Sequence, residues 1–191
     1  MHILSSLVFA ISANTDNFVV GVSYGIKKIK IGLVSNLLIA LISLLGTILS
    51  MSVGKIIFNF LPGNTSNLIG SIILIIIGGW TIVKPLLKSI SDGVLENPEK
   101  VDIDNSSNID AKESIILAFA LTINNVGLGI GASITGLNIV ITSSLTFVFS
   151  LLMIIVGYAL GSYYLSKVFS KNATIISGLI IIALGIYEMF I

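Results

Sequence analysis

Between Glu113 and Lys167 the chain runs for 53 residues, 114–166, without one charged side chain. As a single helix that run would be ~80 Å long at about 1.5 Å per residue. A bilayer's hydrocarbon core is only about 30 Å thick. The run must therefore turn back inside an apolar medium, and Gly136-Leu137-Asn138 is the signal that divides it into spans 114–135 and 139–165. The rest of the chain reads the same way. Only Asp16 interrupts residues 1–26, and residues 31–54 carry no charge. The turn Pro62-Gly63-Asn64 confines a third span to 68–83, and the last covers 173–191. Six helices are expected, and the composition agrees. The chain is 55% hydrophobic and only 10% charged, with a mean hydropathy of +1.08, where a soluble domain carries about 25% charged residues. So little charge cannot cover a water-facing surface.

Several function classes drop out. The absence of Cys excludes a disulfide framework, a thiolate zinc site and a thiol nucleophile. The single imidazole, His2, sits at the extreme N-terminus, which leaves no basis for His catalysis or a His-rich metal site. All ten cations are Lys, balanced by nine acids, so no basic face exists for nucleic acid. No glycine-rich nucleotide-binding loop is present, and no set of enzyme catalytic residues stands out.

Orientation follows from the lysines. Lys27, Lys28 and Lys30 separate spans one and two; Lys84, Lys88, Lys100 and Lys112 separate three and four; Lys167 and Lys171 separate five and six. Only Lys55 lies on the opposite side. Those three loops are expected in the cytoplasm and both termini outside, in the cytoplasmic membrane. The first span is not expected to be a cleavable leader, since no Lys precedes it, three follow it and an acid sits in its middle.

The long loop divides the chain into a first three-helix unit (1–83), an acidic cytoplasmic segment (84–113) and a second three-helix unit (114–191). The units share polar landmarks. Asp16-Asn17 and Gly21 match Asn124-Asn125 and Gly129; Gly46 and Ser50 are matched with Gly157 and Gly161; Gly78 and Trp80 with Gly185 and Tyr187. Three helices per unit is an odd number, so the second copy enters the membrane upside down. The expected fold is an all-α membrane protein of two inverted three-helix repeats, a recurrent transporter architecture with its site near the midplane.

Asp16 is the only acid deep in a span; Glu188 lies close enough to an end to reach the interface. A charge at the bilayer centre costs about 2.5–3.5 kcal/mol on insertion scales, which makes such a residue a functional candidate. Asn17, Asn124 and Asn125 lie at matching depth as neutral partners, and this oxygen-rich set suits a hard divalent cation. The alternative is a protonated Asp16 that merely ties helices together.

The segments Ala10-Ile-Ser-Ala-Asn-Thr-Asp16-Asn-Phe-Val-Val-Gly-Val-Ser-Tyr-Gly25 and Leu121-Thr-Ile-Asn124-Asn-Val-Gly-Leu-Gly-Ile-Gly131 resemble the MntP-type manganese efflux family, and within it the YtaF-type sporulation membrane proteins. The likeness covers the whole chain. It implies manganese export through an aspartate in the first helix of each repeat. Asp16 matches the first; Asn124 stands where the second would be, which leaves a divalent ion less neutralised. The resemblance thus supports a secondary exporter of a divalent cation, Mn²⁺, or a non-transporting sporulation protein that uses the bundle as an anchor. No tightly bound cofactor is expected. The sequence admits a homo-oligomer.

One motif stands apart. Residues 102–113 place Asp102, Asp104, Ser106, Asn108 (through its carbonyl), Asp110 and Glu113 at positions 1, 3, 5, 7, 9 and 12 of a calcium loop. Ser107 replaces the usual Gly at position 6, and no clear helix enters the loop. Ca²⁺, or else Mn²⁺ or Mg²⁺, is the expected occupant. The competing reading is a solvated linker in which Asp110 and Glu113 cap the next helix.

Overall fold

The computed structural model describes residues 2–61, 65–84, 97–163 and 166–190, with side chains described throughout except at 2 and 166–173. The turn at 62–64, most of the first half of the acidic loop, and Lys88, Lys167 and Lys171 in their side-chain detail fall outside that set. Among the described residues there are seven α-helices: α1 His2–Ala13, α2 Thr15–Lys27, α3 Leu33–Phe60, α4 Ser66–Val83, α5 Ala111–Ile134, α6 Ile139–Ser162 and α7 Ser166–Met189. Taken together, α1 and α2 make one apolar crossing, Ile3–Lys27. With α3, α4, α5 and α6 that gives five helices long and apolar enough to span, and α7 adds the apolar stretch Thr174–Met189. The chain is a helical membrane protein.

Most boundaries follow local chemistry. α5 stops where expected. Gly136 takes φ +87°, Leu137 N–H bonds to Ala132 O and Gly136 N–H to Ser133 O, the αL ending for which glycine carries no Cβ penalty. Asn138 then caps α6 by accepting from Ile141 N–H at 3.1 Å. α3 runs further than the charge pattern implied, since Lys55 lies inside its last turns with an exposed side chain. A Lys stem can lie along apolar surface while its ammonium reaches water, so one lysine near an end need not stop a helix.

The first span departs more from expectation. It is broken at Asn14, between α1 and α2. Asn14 Nδ2 bonds back to Ala10 O at 2.7 Å and Thr15 Oγ1 to Ile11 O at 3.3 Å, so side chains take up carbonyls at the irregular turn.

Packing joins α2 to α6, α3 to α5, and α4 to α7, with α3 also against α6 and α4 against α5. The seams are made by backbones in near contact. A Cβ on Gly54 would lie 2.5 Å from Ile130 O and 2.8 Å from Ser133 Cβ; one on Gly161 would meet Val22 O, and one on Gly25 would lie 2.9 Å from Gly161 C. Ile130 and Ser133 occupy the places in α5 that Val22 and Gly25 occupy in α2. A Cβ on Gly129 would likewise lie 2.9 Å from Ser50 Cβ, and one on Gly157 would lie 3.1 Å from Gly21 Cα. The α4–α7 seam behaves similarly, with Gly78 against Gly178 and Ile182, and Gly185 against Ser71 and Ile75.

The acidic loop is no free linker. A 3-10 turn, Pro98–Val101, packs on α2 and α5. Asn108–Ile109 (β2) pairs in parallel with Lys30–Ile31 (β1). Tyr24 Oη donates to Pro98 O at 2.8 Å, Ser35 Oγ to Ile109 O at 2.7 Å, and Lys30 N–H to Ser107 O at 2.9 Å. Val101 and Ile109 are buried in one core with Tyr24, Ile39, Leu117 and Leu121. The loop covers that end of the bundle.

Candidate cation site in the membrane

The break at Asn14 puts Asp16 in the first turn of α2, where the helix dipole favours negative charge. Its Oδ1 accepts from the Asn17 backbone N–H at 2.9 Å. Its Oδ2 accepts from Asn124 Nδ2 and Asn125 Nδ2, each at 3.3 Å. Asn125 also donates to Ala13 O at 2.8 Å, taking up the last carbonyl of α1. One amide thus binds both sides of the break to α5. Asp16 is half-buried and Asn124 is exposed.

Asp16, Asn124 and Asn125 come together as the sequence suggested. Asn17 does not join them through its side chain, which turns the other way. Its Nδ2 donates to Ser150 Oγ of α6 at 2.8 Å and to Asn14 Oδ1 at 3.1 Å, at 1% exposure. In a helix, adjacent residues point about 100° apart, so Asn17 cannot share the face of Asp16. Asn17 is a lock between α2 and α6. As they stand, the two α5 amides present N–H to the carboxylate. To help ligate a cation each must rotate and offer its oxygen, with Asp16 as the anion of the three.

Beside this set lies a polar cavity between α1, α3, α5 and α6, lined by the hydroxyls of Ser43, Thr47, Ser50, Thr122 and Thr146, none of them among the site residues expected from the sequence. A signal was present. Ser43, Thr47 and Ser50 recur at helical spacing along α3 in an otherwise apolar span, as do Thr142, Thr146 and Ser150 along α6.

In the loop, Asp102, Asp104 and Glu113 bring carboxylate oxygens within 4.8 Å of one another. Ser106 N–H bonds to Asp102 Oδ1 and Asp104 Oδ1, both at 2.9 Å, and Ser107 N–H to Asp102 Oδ2 at 3.0 Å. These Ser106 contacts hold the exposed Asp104 carboxyl below its usual range. Ile103 N–H reaches Glu113 Oε1 at 2.6 Å. Asn105 and Ser107 adopt φ of 54° and 59°, so Ser107 supplies the turn expected of a Gly. Of the other three expected ligands, the Ser106 side chain bonds to Asp104, and Asn108 and Asp110 engage other groups of the loop. Ser106 Oγ donates to Asn108 O at 2.9 Å, and Asp110 accepts from Glu113 N–H at 2.8 Å while Glu113 accepts from Asp110 N–H at 3.1 Å. That reciprocal pair is a capping box at the start of α5.

Comparison with known proteins points one way. The family model described as "Putative manganese efflux pump" matches residues 1–82 and 87–189. The chain is 29% identical to "Probable sporulation protein YtaF" of Bacillus subtilis (strain 168), over 99% of this chain and 100% of that protein. It is 26% identical to "Putative manganese efflux pump MntP" of Clostridium perfringens (strain 13 / Type A), over 97% and 93%. It is 28% identical, with the same shares covered, to "Putative manganese efflux pump MntP 2" of Clostridium botulinum (strain Langeland / NCTC 10281 / Type F). No solved structure gives a match.

Proposed function

Because the chain belongs to the Mntp family of membrane efflux proteins, we propose that it is a secondary transporter exporting a divalent cation, Mn²⁺, from the cytoplasm. Asp16 is the charged ligand, with Asn124 and Asn125 as its neutral partners; Asn17 holds α6 in place. The observation that carries this is a lone carboxylate at a helix break, faced by two amides of the other three-helix unit. Discontinuous helices that expose backbone groups at the midplane are a recurrent basis for transporter sites.

The two units are read as inverted repeats, supported by the paired seams Gly54 with Gly161 and Gly78 with Gly185. The α4–α7 pair departs from that relation. Gly70 of α4 sits against Thr135 near the end of α5, while Ser177, its counterpart in α7, donates to Ser12 O of α1 at 2.8 Å. A two-fold relation would have placed Ser177 beside Lys27, 15 residues further along, or about 22 Å. The pair is thus read as lying off-centre against the other four crossings, α1 and α2 counting as one. Alternating access is its passage to the two-fold-related position. The lysine split supports an orientation with both termini outside, in which the loop at 98–113 closes the cytoplasmic end.

The same loop is read as a second cation site, with Asp102, Asp104 and Glu113 offering carboxylates to Ca²⁺. The positive φ at Asn105 and Ser107 supports this, since the backbone already takes the tight turn. A non-transporting role beside the sporulation machinery is the competing reading, favoured by Asn124 where a second carboxylate would stand. Mn²⁺ retention in cells expressing wild type or Asp16→Asn separates the two. Wild type should lower cellular Mn²⁺ and Asp16→Asn should not; equal retention refutes export.

A further inference from the structure

The cavity beside Asp16 offers oxygen without charge. Its free volume for the centre of a water-sized sphere is about 20 Å³, room for one small occupant. Thr122 Oγ1 and Thr146 Oγ1 are buried in its wall with no hydrogen-bond partner. A helical Thr ordinarily satisfies its hydroxyl on the carbonyl three or four residues back. Thr146, 5% exposed, lines the cavity and leaves its hydroxyl without a partner. The neighbouring groups have already placed their protons elsewhere. Thr47 Oγ1 donates to Ser43 O at 2.8 Å and Ser50 Oγ to Thr47 O at 3.1 Å, which leaves both oxygens their lone pairs as acceptors. Asn125 has given both amide hydrogens to Ala13 and Asp16, so the acceptor Oδ1 is what remains. Glycines keep the space open: a Cβ on Gly129 would run into Ser50 Oγ, and one on Gly46 into the Thr122 methyl.

We propose that this cavity, formed around Thr47, Ser50, Thr122, Asn125 and Thr146, is a binding site for one dehydrated monovalent cation, Na⁺. A wall of acceptors repels an anion. A divalent ion would shed a costly hydration shell and meet no carboxylate. One charge on a set of neutral oxygens is the balanced case. Asn125 belongs to this site and to that of Asp16. Na⁺ at Oδ1 strengthens the amide's donation to Asp16, holds it away from the rotated form a divalent ion needs, and adds a positive charge nearby. Each ion therefore weakens the other, the relation that antiport requires. Occupancy by Na⁺ stands without the transport reading; its role in coupling rests on it.

The test uses the purified full-length protein in detergent, with ²²Na⁺ as the probe and choline balancing ionic strength. Wild type should show saturable ²²Na⁺ binding without any divalent ion. Thr146→Val should bind at least tenfold more weakly, and Thr146→Ser close to wild type. Thr122→Val repeats the loss should Thr146→Val fold poorly. NaCl in place of choline should raise the Mn²⁺ concentration for half-saturation at least fivefold in wild type and leave the valine variants unmoved. Absence of saturable ²²Na⁺ binding in wild type, or binding retained in both valine variants, overturns the site and leaves a water-filled cavity. Saturable binding with no Mn²⁺ transport removes the transport reading and leaves the site standing.

Discussion

Gly161→Ala tests the packing most sharply. The added Cβ would press into Val22 O and lie 2.9 Å from both Val22 C and Val22 Cα. All three are backbone atoms, so no side chain can swing away. α2 and α6 must separate by ~1 Å along their seam, and a gap of that size forfeits a quarter to a half of each dispersion contact. Overpacking of this kind costs about 1–3 kcal/mol, and backbone-on-backbone overlap belongs at the upper end. Replacing glycine within a helix returns about 1 kcal/mol in propensity. The net expectation is a loss of about 2 kcal/mol. Gly79→Ala is the control, because a Cβ there meets nothing within 4 Å and the change should stabilise by up to about 1 kcal/mol. The variants are thus separated by about 3 kcal/mol, although the chemical change is identical. Gly54→Ala, at the equivalent point of the α3–α5 seam, should match Gly161→Ala. The assay is thermal or denaturant unfolding in one detergent, read by size-exclusion recovery of the folded protein. Gly161→Ala as stable as Gly79→Ala would refute the close-approach seam and the pairing of Gly54 with Gly161.

Cross-linking tests the movement, since the chain has no Cys of its own. Ser12→Cys with Ser177→Cys should form a disulfide in the arrangement described, and Lys27→Cys with Ser177→Cys should do so only in the alternative one; a Lys27–Ser177 pair that never links under transport conditions contradicts the sliding of α4 and α7. In the loop, Ca²⁺ titration should release heat in wild type with a dissociation constant of about 10⁻⁵–10⁻³ M, and Glu113→Gln should remove that heat while keeping the capping box of α5, which accepts Gln at this position. Equal heats, or none in either protein, would make the loop a structural cover alone. A reporter fused after Lys30 should read as cytoplasmic and one at Ile191 as external, and a cytoplasmic C-terminus would break the orientation.

The spans were legible because hydropathy and charge act over many residues and bilayer thickness admits few solutions. Gly136 and Asn138 announced their turn, and Asp110 and Glu113 their cap, because those roles are met within four residues. The meeting of Asp16 with Asn124 and Asn125 was also readable, through the match between the two units. The break at Asn14 was not. Nothing in an apolar run with one polar cluster says where helix bonds lapse until the Thr146 and Asn125 partners are in place. Asn17 was misplaced for a similar reason: adjacency in sequence suggests a shared site, while helix geometry sends its amide to Ser150. The docking of Val101 and Ile109 was hidden by the acids around them, which make the loop read as solvated.

The central claim is that Asp16 is the charged ligand for an exported divalent cation, and Mn²⁺ flux across a sealed bilayer tests it most directly. Purified wild-type protein in liposomes loaded with a Mn²⁺-quenched dye should give protein-dependent Mn²⁺ entry. Asp16→Asn, inserted to the same level and equally stable, should reduce the signal to that of empty liposomes. Asn124→Asp, which supplies a second carboxylate, should transport with a lower half-saturating Mn²⁺ concentration. Mn²⁺ flux through Asp16→Asn at the wild-type rate would contradict the account.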